Sequence, residues 1–337
     1  LSELVAEADF IVHLAGEVKS EQVDQFEIHN VEFTKTLCSL IIDSKKTIPI
    51  IFTSSMQVAR STAHQDYARS KYDAEQVLIQ FSDIHKNPVS IYRLPGVFGK
   101  WSKPNYNSVV ATFCHNNARD IPLTINNPDA ILPLLYIDDV ISAFIDKIKK
   151  MSIGISKPIL EWPEIKPVHQ ITLQELADVI TRFTDGREQL EIMSVASGLY
   201  RKLYATYISY LPPEKFIYDI PHYADERDVF AEMLKSKLAG QMSFFTCKPG
   251  ITRGQHYHHT KTEKFLVISG VAKFCFRHII TNETFEVIIS SERLQIVDTI
   301  PGWAHDIKNI ADSDLVVMLW ANEIFDRDKP DTVSCLV

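Results

Sequence analysis

The chain has 337 residues, of which 45% are hydrophobic and 23% are charged, so it is long enough for two domain cores and is neither disordered nor collagen-like. Its 35 Lys and Arg residues against 43 Asp and Glu residues give a net charge of -8, and no block of basic residues occurs. This balance argues against nucleic acid or an anionic membrane surface as the main partner.

Targeting signals and cysteine usage indicate the cellular compartment. No apolar run approaches the roughly 18 residues that span a bilayer, and the first residues do not form a signal peptide. The five cysteines are scattered, without a Cys-x-x-Cys pair, as expected of free thiols in a reducing compartment. We therefore expect a cytoplasmic protein without a membrane partner.

The first 150 residues alternate short apolar runs with longer amphipathic stretches, which is the pattern of a parallel sheet flanked by helices. The predicted strands cover residues 9–15, 48–54 and 89–94, and the predicted helices cover residues 24–43, 65–82 and 108–119. A capping box at Thr172 and Glu175 opens a further helix that runs to about residue 183. The pattern predicts a Rossmann-like, doubly wound parallel sheet whose first βα unit precedes Leu1.

The pattern of apolar and polar residues changes after Leu211. From Phe216 onward, short β-rich runs recur at intervals of about ten residues and are separated by Pro-Gly and Ser-Gly pairs. This rhythm predicts an antiparallel all-β sandwich or barrel. We therefore place an N-terminally truncated α/β domain at residues 1–212 and an all-β domain at residues 213–337.

Three residues of the α/β domain form the first candidate site. Tyr67 and Lys71 lie four residues apart near the start of a predicted helix, so both side chains share one face. A fixed cation near a phenol favours the phenolate, so we expect a lowered pKa for Tyr67. Ser55 ends a predicted strand, where α/β sheets bind ligands, and its hydroxyl can hold a substrate oxygen. Alone, a Tyr-x-x-x-Lys pair is more often a feature of an exposed helix.

The order of these motifs, followed by RLPGVFG (93–99), resembles the extended short-chain dehydrogenase/reductase family. The resemblance implies that Tyr67 donates a proton to a carbonyl, Lys71 holds the cofactor ribose and Ser55 bonds the carbonyl. It implies that a nicotinamide supplies hydride. Further implied cofactor contacts are Leu14, Ala15, Gly16, Asn30, Pro95 and Val97. Each has a structural alternative: Gly16 ends a strand, Asn30 is a solvated helix residue, and Pro95 shapes a turn.

The feature that identifies the cofactor most directly is missing from the printed sequence. A Rossmann domain holds pyrophosphate with a glycine-rich turn after its first strand, and a residue further on selects NAD or NADP. No such turn precedes Asp9. We expect it in a preceding segment, so these residues alone do not distinguish NAD from NADP.

Four residues of the all-β domain form the second candidate site. His256 and His258 are two residues apart, so both face one side of a strand, and Glu263 and His305 follow on neighbouring predicted strands. The spacings Gly250-x5-His256-x-His258-x4-Glu263 and Gly302-x2-His305 resemble the two cupin motifs. A site of three His and one carboxylate suits Zn²⁺, or Fe, Mn or Ni. Any one of these histidines alone could be a packed or surface imidazole.

A second resemblance gives His256 a different role. Segments around Asp225, Arg227, Gln241 and Arg253 resemble the nucleotide-sugar 3- and 3,5-epimerases, a cupin branch without metal in which the matching His is a general base. This resemblance implies a substrate contact for Arg227. With His258, Glu263 and His305 all present, we favour the ligand role for His256.

The two candidate sites suit one substrate. A C–H bond beside a ketone is acidic because the enolate oxygen can be stabilised by a metal or a hydrogen-bond donor. The all-β domain could therefore invert the carbon beside a keto group, and the reductase domain could reduce the same ketone. Both reactions act through one carbonyl.

The blocks GKWSKPNYNSV (99–109), HYHHTKTEKFLVISG (256–270) and NEIFDRDKPDT (322–332) resemble the CapF family of capsular polysaccharide synthesis enzymes. The resemblance implies a bifunctional enzyme of UDP-N-acetyl-L-fucosamine synthesis, in capsule or O-antigen formation. Its cupin domain would epimerise C3 of a UDP-2-acetamido-2,6-dideoxy-4-hexulose, and its reductase domain would reduce C4 with NADPH to the L-talose sugar. It also implies Zn²⁺ and a homodimer.

The remaining assignments rest on position. Lys103 and Asn107 follow the nicotinamide segment, where extended reductases receive the nucleotide sugar, although exposed Lys and Asn are more often only solvated. Candidates for the cupin base are Lys248, Lys264 and Tyr257. Two other functions remain open: a non-catalytic protein that binds sugar nucleotides, and a metal cupin that acts on another substrate.

Overall fold

The computed structural model describes residues 1–20, 22–60, 66–152, 159–220, 222–225, 228–231, 234, 240–323 and 328–337. The chain forms two compact units, Leu1–Phe98 with Ile131–Ile171, and Gly99–Ala130 with Thr172–Val337. The second unit therefore contains residues 99–130 and 172–212 together with the β-rich region. No helix in the described ranges is long and apolar enough to cross a membrane.

The helices of the described residues are numbered in chain order. They are α1 (Ser2–Glu7), α2 (Asp24–Phe26), α3 (Phe33–Ser44), α4 (Gln57–Arg60), α5 (Asp66–His85), α6 (Val109–Asn117), α7 (Ile137–Ser152), α8 (Leu173–Gln189) and α9 (Gly198–Ser209). A π-helical segment, Glu27–Glu32, joins α2 to α3, and a 3₁₀ turn occupies Pro213–Lys215.

A parallel sheet forms the centre of the first unit. Its strands, in spatial order, are β1 (Ile11–His13), β2 (Ile50–Ser55), β3 (Val89–Leu94) and β6 (Leu160–Glu161). Three further strands form a second sheet in the order β4 (Gly96–Phe98), β5 (Ile131–Tyr136) and β7 (His169–Thr172). The predicted Rossmann-like parallel sheet is confirmed.

The parallel sheet forms because β2 and β3 are apolar on both faces. Ile50, Phe52 and Ile91 are almost completely buried and pack against Leu37 of α3 and Leu78 of α5. Strands buried on both faces by crossover helices need such continuous apolar runs, because neither face contacts water. This packing fixes the end of β2 and the start of α5, where the first candidate site lies.

Two of the predicted elements differ in detail. Residues 95–98, expected as a turn, contain β4, which pairs in parallel with β5. The helix predicted over residues 24–43 is interrupted by the π-helical segment around Asn30. Such single-turn π-bulges insert one extra residue and are frequent at functional sites.

The helices of the second unit follow their sequence signals. Thr172 and Glu175 form the predicted capping box, and α8 continues past residue 183 to Gln189. The Ser108 side chain accepts a hydrogen bond from the Ala111 amide at the start of α6. Both caps satisfy amide groups that have no partner within the helix.

The rest of the second unit is all β, as predicted. One five-stranded sheet has the order β11 (Gln241–Cys247), β18 (Leu315–Ala321), β13 (Glu263–Ser269), β16 (Gln295–Asp298) and β8 (Ile217–Asp219). Another has the order β15 (Thr284–Ser290), β14 (Val271–His278), β17 (Trp303–Asn309), β12 (Thr252–Tyr257) and β19 (Val333–Ser334). A separate pair joins β9 (His222–Asp225) to β10 (Asp228–Ala231). All of these pairings are antiparallel.

Candidate functional site

The first group of candidate residues lies where β2 ends and α5 begins. Ser55 is the last residue of β2, and Tyr67 is the second residue of α5. The Ser55 and Tyr67 side chains share a hydrogen bond. The pair lies outside the carboxyl end of a parallel strand, the position at which α/β sheets bind ligands.

The pKa of Tyr67 shifts in the direction opposite to the one expected from the sequence. Burial raises the pKa of Tyr67 above its ordinary value, and the hydrogen bond from Ser55 offsets only part of that shift. A desolvated phenol keeps its proton because the phenolate charge is poorly stabilised away from water. In this structure Tyr67 is therefore a protonated group, ready to donate rather than to accept a proton.

Lys71 is buried one turn along α5 from Tyr67. Its Nζ lies 4.4 Å above the centre of the Phe52 ring, a cation–π contact. Burial lowers the pKa of Lys71 to about 8, against an opposing contribution from the Glu75 carboxylate. The ammonium is thus close to its titration range near neutral pH.

A partly buried ion pair between Arg93 and Glu75, one helical turn beyond Lys71, was not predicted from the sequence. Glu75 is fully buried and accepts hydrogen bonds from Arg93 Nε at 2.9 Å and Arg93 Nη2 at 2.6 Å. It also accepts a hydrogen bond from Ser54 Oγ at 2.5 Å. The signal available in the sequence was the four-residue spacing from Lys71, which places Glu75 on the same helix face.

Asn30 and Gly16 lie against Lys71. The Asn30 side chain donates to the Glu17 carbonyl at 3.0 Å and to Ser70 Oγ at 2.8 Å, and it accepts from the Glu17 amide at 2.7 Å. A Cβ atom added to Gly16 would lie 2.6 Å from Asn30 Oδ1 and 3.6 Å from Lys71 Nζ. The segment after β1 can approach the site closely only because residue 16 has no side chain.

The other candidate cofactor contacts are arranged less closely. Leu14 and Ala15 are exposed in the irregular segment after β1. Pro95 precedes β4, and Val97 packs against the core cluster that contains Ile51 and Tyr92. The grouped residues fit a nicotinamide nucleotide because they combine a proton donor, a cation and, at Gly16, a backbone without a side chain that lets a ligand come close at the end of a strand. These residues are Ser55, Tyr67, Lys71, Asn30 and Gly16.

The predicted contact of Lys71 with a nicotinamide cofactor would make cofactor binding sensitive to pH. The ammonium loses its proton as the pH rises through about 8, so a contact with the anionic cofactor should weaken above that pH. We expect the dissociation constant for NADPH, measured by fluorescence titration, to rise about tenfold between pH 7 and pH 9, the worth of one charge-assisted contact.

The matched variants for this prediction are Lys71→Met and Lys86→Met. Lys71→Met should bind NADPH weakly at both pH values, whereas Lys86→Met, at an exposed position, should behave as the wild type. If Lys71→Met kept the wild-type pH profile, another group would carry the dependence.

The second group of candidate residues converges within the β-rich region. His256 is on β12, His258 follows it, Glu263 starts β13 and His305 is on β17. One ligand atom from each of these four residues lies within 4.8 Å of the others. The predicted set is therefore brought together.

A β-bulge aims His256 at this cluster. Along the β12–β17 pairing, Gly254 is opposite Asp306 and His256 is opposite His305, so Gln255 is an extra residue in β12. Gly254 has a φ of +100°, and a Cβ there would lie 2.9 Å from the His305 carbonyl oxygen. Bulges of this kind often redirect a side chain beside a functional site.

The electrostatics of the cluster require a positive charge. His258 Nδ1 donates to the Asp331 carbonyl, so in the neutral ring the lone pair of Nε2 faces Glu263 Oε2 at 3.3 Å. Two electron-pair donors at this distance repel each other unless a proton on His258 or a metal ion lies between them. Burial opposes the charge on Glu263, but His258 and Lys261 hold its pKa far below the ordinary value.

His305 supplies the observation that favours a metal ion. The residue is buried, and neither of its ring nitrogens has a hydrogen-bond partner of normal geometry, with Nε2 lying 3.8 Å from Glu263 Oε2. Burial, followed by the neighbouring His258, lowers the pKa of His305 to about 3, so the ring is neutral. A buried neutral imidazole without a partner is costly unless its nitrogen binds a ligand. The donor set fits Zn²⁺ or a similar divalent ion.

A cavity of about 250 Å³ adjoins the cluster and is lined by His256, Glu263 and His305. Its apolar wall consists of Phe245, Phe265, Phe274 and Phe276. Two cations, Arg253 and Lys261, also line it. A mostly apolar cavity with a few convergent polar groups is typical of a small-molecule site.

The lysine that lines this cavity is not one of the candidate bases. None of Lys248, Lys264 and Tyr257 lines this cavity. Lys261 does, with its Nζ 3.0 Å from Glu263 Oε1. Lys261 lies in the loop just before β13, whereas Lys264 is the second residue of that strand and points to the side opposite Glu263.

Each of the three excluded candidates has another environment. Lys248 is exposed and pairs with Asp314 at 2.5 Å. The ring of Tyr257 packs against His259. Lys264 is buried, with Nζ 2.7 Å from Asp298 Oδ1 and 2.9 Å from the Tyr218 hydroxyl. Because Asp298 also pairs with Arg187, this buried network holds α8 to β13 and β16.

The candidate substrate contacts are dispersed. Lys103 is exposed, with its Nζ 5.4 Å from the centre of the Tyr106 ring, and Asn107 is exposed in the turn before α6. Arg227 lies outside the described residues. The three substrate contacts therefore remain predictions.

Two family models match the chain. Residues 1–154 match the NAD dependent epimerase/dehydratase family, and residues 223–333 match the polysaccharide biosynthesis C-terminal domain. The first match covers strands β1, β2 and β3 of the parallel sheet together with the Tyr67 group, and the second covers the four-residue cluster.

Similar proteins cover the whole chain. The UDP-2-acetamido-2,6-beta-L-arabino-hexul-4-ose reductase of Pseudomonas aeruginosa is 48% identical over 338 residues, covering 100% of this chain and 88% of the relative. The crystal structure of the capsular polysaccharide assembling protein CapF from Staphylococcus aureus is 37% identical, with a TM-score of 0.62, covering 100% of this chain and 89% of that one. A crystal structure of CapF with the inhibitor 3-isopropenyl-tropolone is 36% identical, with a TM-score of 0.57 and coverages of 100% and 88%.

Proposed function

Because this chain belongs to the CapF family, we propose that it is a nucleotide-sugar enzyme of capsular polysaccharide or O-antigen synthesis with two activities, a ketone reduction and a sugar epimerisation. The reductase is assigned to residues 1–212 and the epimerase, as a cupin barrel, to residues 213–337. The single observation that carries the proposal is the hydrogen-bonded pair of Ser55 and Tyr67 at the end of β2.

In the reductase site, Tyr67 donates its proton to the oxygen of a ketone. Burial keeps this phenol protonated. Ser55 is hydrogen-bonded to it, so the two hydroxyls together can hold the carbonyl oxygen. Lys71 positions the cofactor ribose, and its charge assists the departure of the phenolic proton. NADPH, when bound, supplies the hydride.

In the epimerase site, His256, His258, Glu263 and His305 would hold Zn²⁺. The ion, when bound, would supply Lewis acidity toward a substrate oxygen. Lys261 provides a further positive charge in the cavity, suited to an enolate oxygen. The aromatic wall limits water around the reacting carbon.

The chemistry of the relatives supports the substrate class. The P. aeruginosa relative is named for the reduction of a UDP-linked hexulose. The tropolone bound in one CapF structure carries adjacent oxygens that form a chelating pair, consistent with a metal site in this family. We propose that the substrate is a UDP-2-acetamido-2,6-dideoxy-4-hexulose, which is epimerised at C3 and reduced at C4 to the L-talose sugar by a homodimer.

The test follows each activity separately. The purified enzyme, incubated with the 4-keto UDP-sugar in D₂O, should incorporate deuterium at C3 without NADPH, as followed by mass spectrometry. Addition of NADPH should then consume the ketone. A protein that binds the sugar but performs neither reaction would be a non-catalytic binding protein. Activity of the cupin on a different substrate alone would contradict the assigned pathway.

A further inference from the structure

The C-terminal residues 328–337, here called the C-terminal strap, lie along the strand that carries His256. Its short strand β19 pairs with β12, so that Ser334 is opposite His256 and Val333 is opposite Tyr257. The Cys335 amide donates to the Gln255 carbonyl at 2.8 Å, across from the bulge. The backbone of the metal-binding strand is thus held on this side by the strap.

One strap residue, Asp331, holds the loop that connects His258 to Glu263. Its carboxylate accepts hydrogen bonds from the amides of His259 at 2.9 Å, Thr260 at 2.6 Å and Lys261 at 2.7 Å. It also accepts one from Thr260 Oγ1 at 2.8 Å. Burial opposes this charge, but the amides hold the pKa of Asp331 at about 2, so the carboxylate remains ionised at neutral pH. An anion that binds successive amides fixes the course of a loop.

Asp331 also sets the orientation of one metal ligand. Its backbone carbonyl accepts the Nδ1–H of His258. This bond selects the tautomer in which Nε2, the nitrogen facing Glu263, has its lone pair available. Hydrogen bonds of this kind, from the second ring nitrogen of a ligating His to a carbonyl, orient metal ligands and raise their basicity.

A residue of α9 holds this arrangement from outside the β-rich region. Arg201 donates to Thr260 Oγ1 from Nε at 3.0 Å and from Nη2 at 2.7 Å. Its Nη2 lies 2.6 Å from Glu323 Oε2 and 3.8 Å from Asp331 Oδ2. Arg201, Thr260 and Asp331 therefore form one network, and residues before position 212 contribute to the metal-binding loop.

We propose that Asp331 is a positioning residue for the metal centre, since its carboxylate fixes the 259–261 loop and its carbonyl orients His258, with Arg201 holding the network in place. This inference rests on the proposed metal role of His256, His258, Glu263 and His305. It assigns a role to Asp331, one residue of the sequence block that resembles the CapF family, which the proposed mechanism does not use. It also explains how two ligands separated by a loop keep one geometry.

The test measures metal affinity directly. Asp331→Asn replaces an acceptor with an amide group that cannot receive all of the loop hydrogen bonds. We expect its Zn²⁺ dissociation constant, measured by competition with a chromophoric chelator, to rise about 10- to 100-fold, the usual cost of losing such a supporting contact. Asp312→Asn, in an exposed turn of the same region, is the matched control and should bind Zn²⁺ as the wild type does.

A second variant separates positioning from loss of folding. Arg201→Gln leaves the strap and the loop amides intact, and we expect a smaller rise in the Zn²⁺ dissociation constant together with faster release to chelator. The unfolding midpoints of the metal-free variants are measured in parallel. Wild-type affinity in both Asp331→Asn and Arg201→Gln would overturn the inference.

The outcomes also distinguish this inference from the function on which it rests. If the wild type binds one Zn²⁺ per chain and His305→Ala does not, the proposed metal centre stands, and unchanged affinity in Asp331→Asn overturns the positioning role alone. If the wild type binds no Zn²⁺ at the four residues, the metal centre and the role of Asp331 are both overturned.

Discussion

Tyr67→Phe should lower the rate of ketone reduction by about 10³-fold, because a positioned general acid contributes roughly two to four orders of magnitude. The phenyl ring keeps the shape of the side chain but removes the hydroxyl that hydrogen-bonds to Ser55 and that we propose as the proton donor. The measurement is NADPH consumption with the 4-keto UDP-sugar. Deuterium incorporation at C3 should be unchanged, since that exchange is assigned to the other site.

The chain provides a close control for this variant. Tyr72 is on the same helix and is 47% exposed, so Tyr72→Phe should retain full reduction. Loss of the single hydrogen bond should cost Tyr67→Phe only about 1 kcal/mol in the free energy of unfolding. If Tyr67→Phe abolished both C3 exchange and reduction, or neither, the division of the two activities between two sites would be wrong.

His305→Ala should nearly abolish metal binding and C3 exchange. A ligating imidazole should contribute at least as much as the supporting contacts that cost 10- to 100-fold, so we expect a rise of about 100-fold or more in the Zn²⁺ dissociation constant. Loss of the electrostatic stabilisation at the developing enolate should slow C3 exchange by a factor on the order of 10² to 10³. Metal content of the purified protein and deuterium incorporation measure the two effects.

The stability of the variant adds an independent readout. Zn²⁺ should raise the unfolding temperature of the wild type, because a ligand that binds only the folded state stabilises it, and this increase should vanish in His305→Ala. His29→Ala, at an exposed position, should respond to Zn²⁺ as the wild type does. Full C3 exchange in metal-stripped wild type would instead make His256 a general base, the alternative set by the epimerase resemblance.

The parallel sheet and the all-β region could both be predicted from the sequence, because each depends on local patterns. Continuous apolar runs mark β2 and β3, and short runs with turns between them mark the strands from β11 onward. The capping box at Thr172 is a local signal too, and it marked the start of α8 correctly. Its end at Gln189, beyond the predicted residue 183, depends on the packing of α8 rather than on a signal in the sequence.

Local spacing also brought the main candidate residues together. Positions 67 and 71 share a helix face because helices have a fixed period, and His258, just past the end of β12, still lies in the same cluster as His256. Glu263 and His305 were also expected to converge on the same point. They do so only because strands that are distant in the sequence pair in antiparallel sheets. The bulge at Gln255 directs the His256 side chain toward the cluster, and no clear signal in the sequence predicts it.

Burial and long-range partners were decided only by the tertiary structure. The sequence predicts that Lys71 lowers the pKa of Tyr67, but in the structure burial raises it, and the opposing contribution comes from the Ser55 hydrogen bond. Lys264 was a candidate base, yet on β13 it pairs with Asp298, whereas Lys261, in the loop before β13, lines the cavity. Asp331 lies 70 to 73 positions along the chain from the residues it supports, and no local pattern in the sequence links them. Periodicity along a chain determines which residues share a face, whereas desolvation and pairing depend on which faces meet.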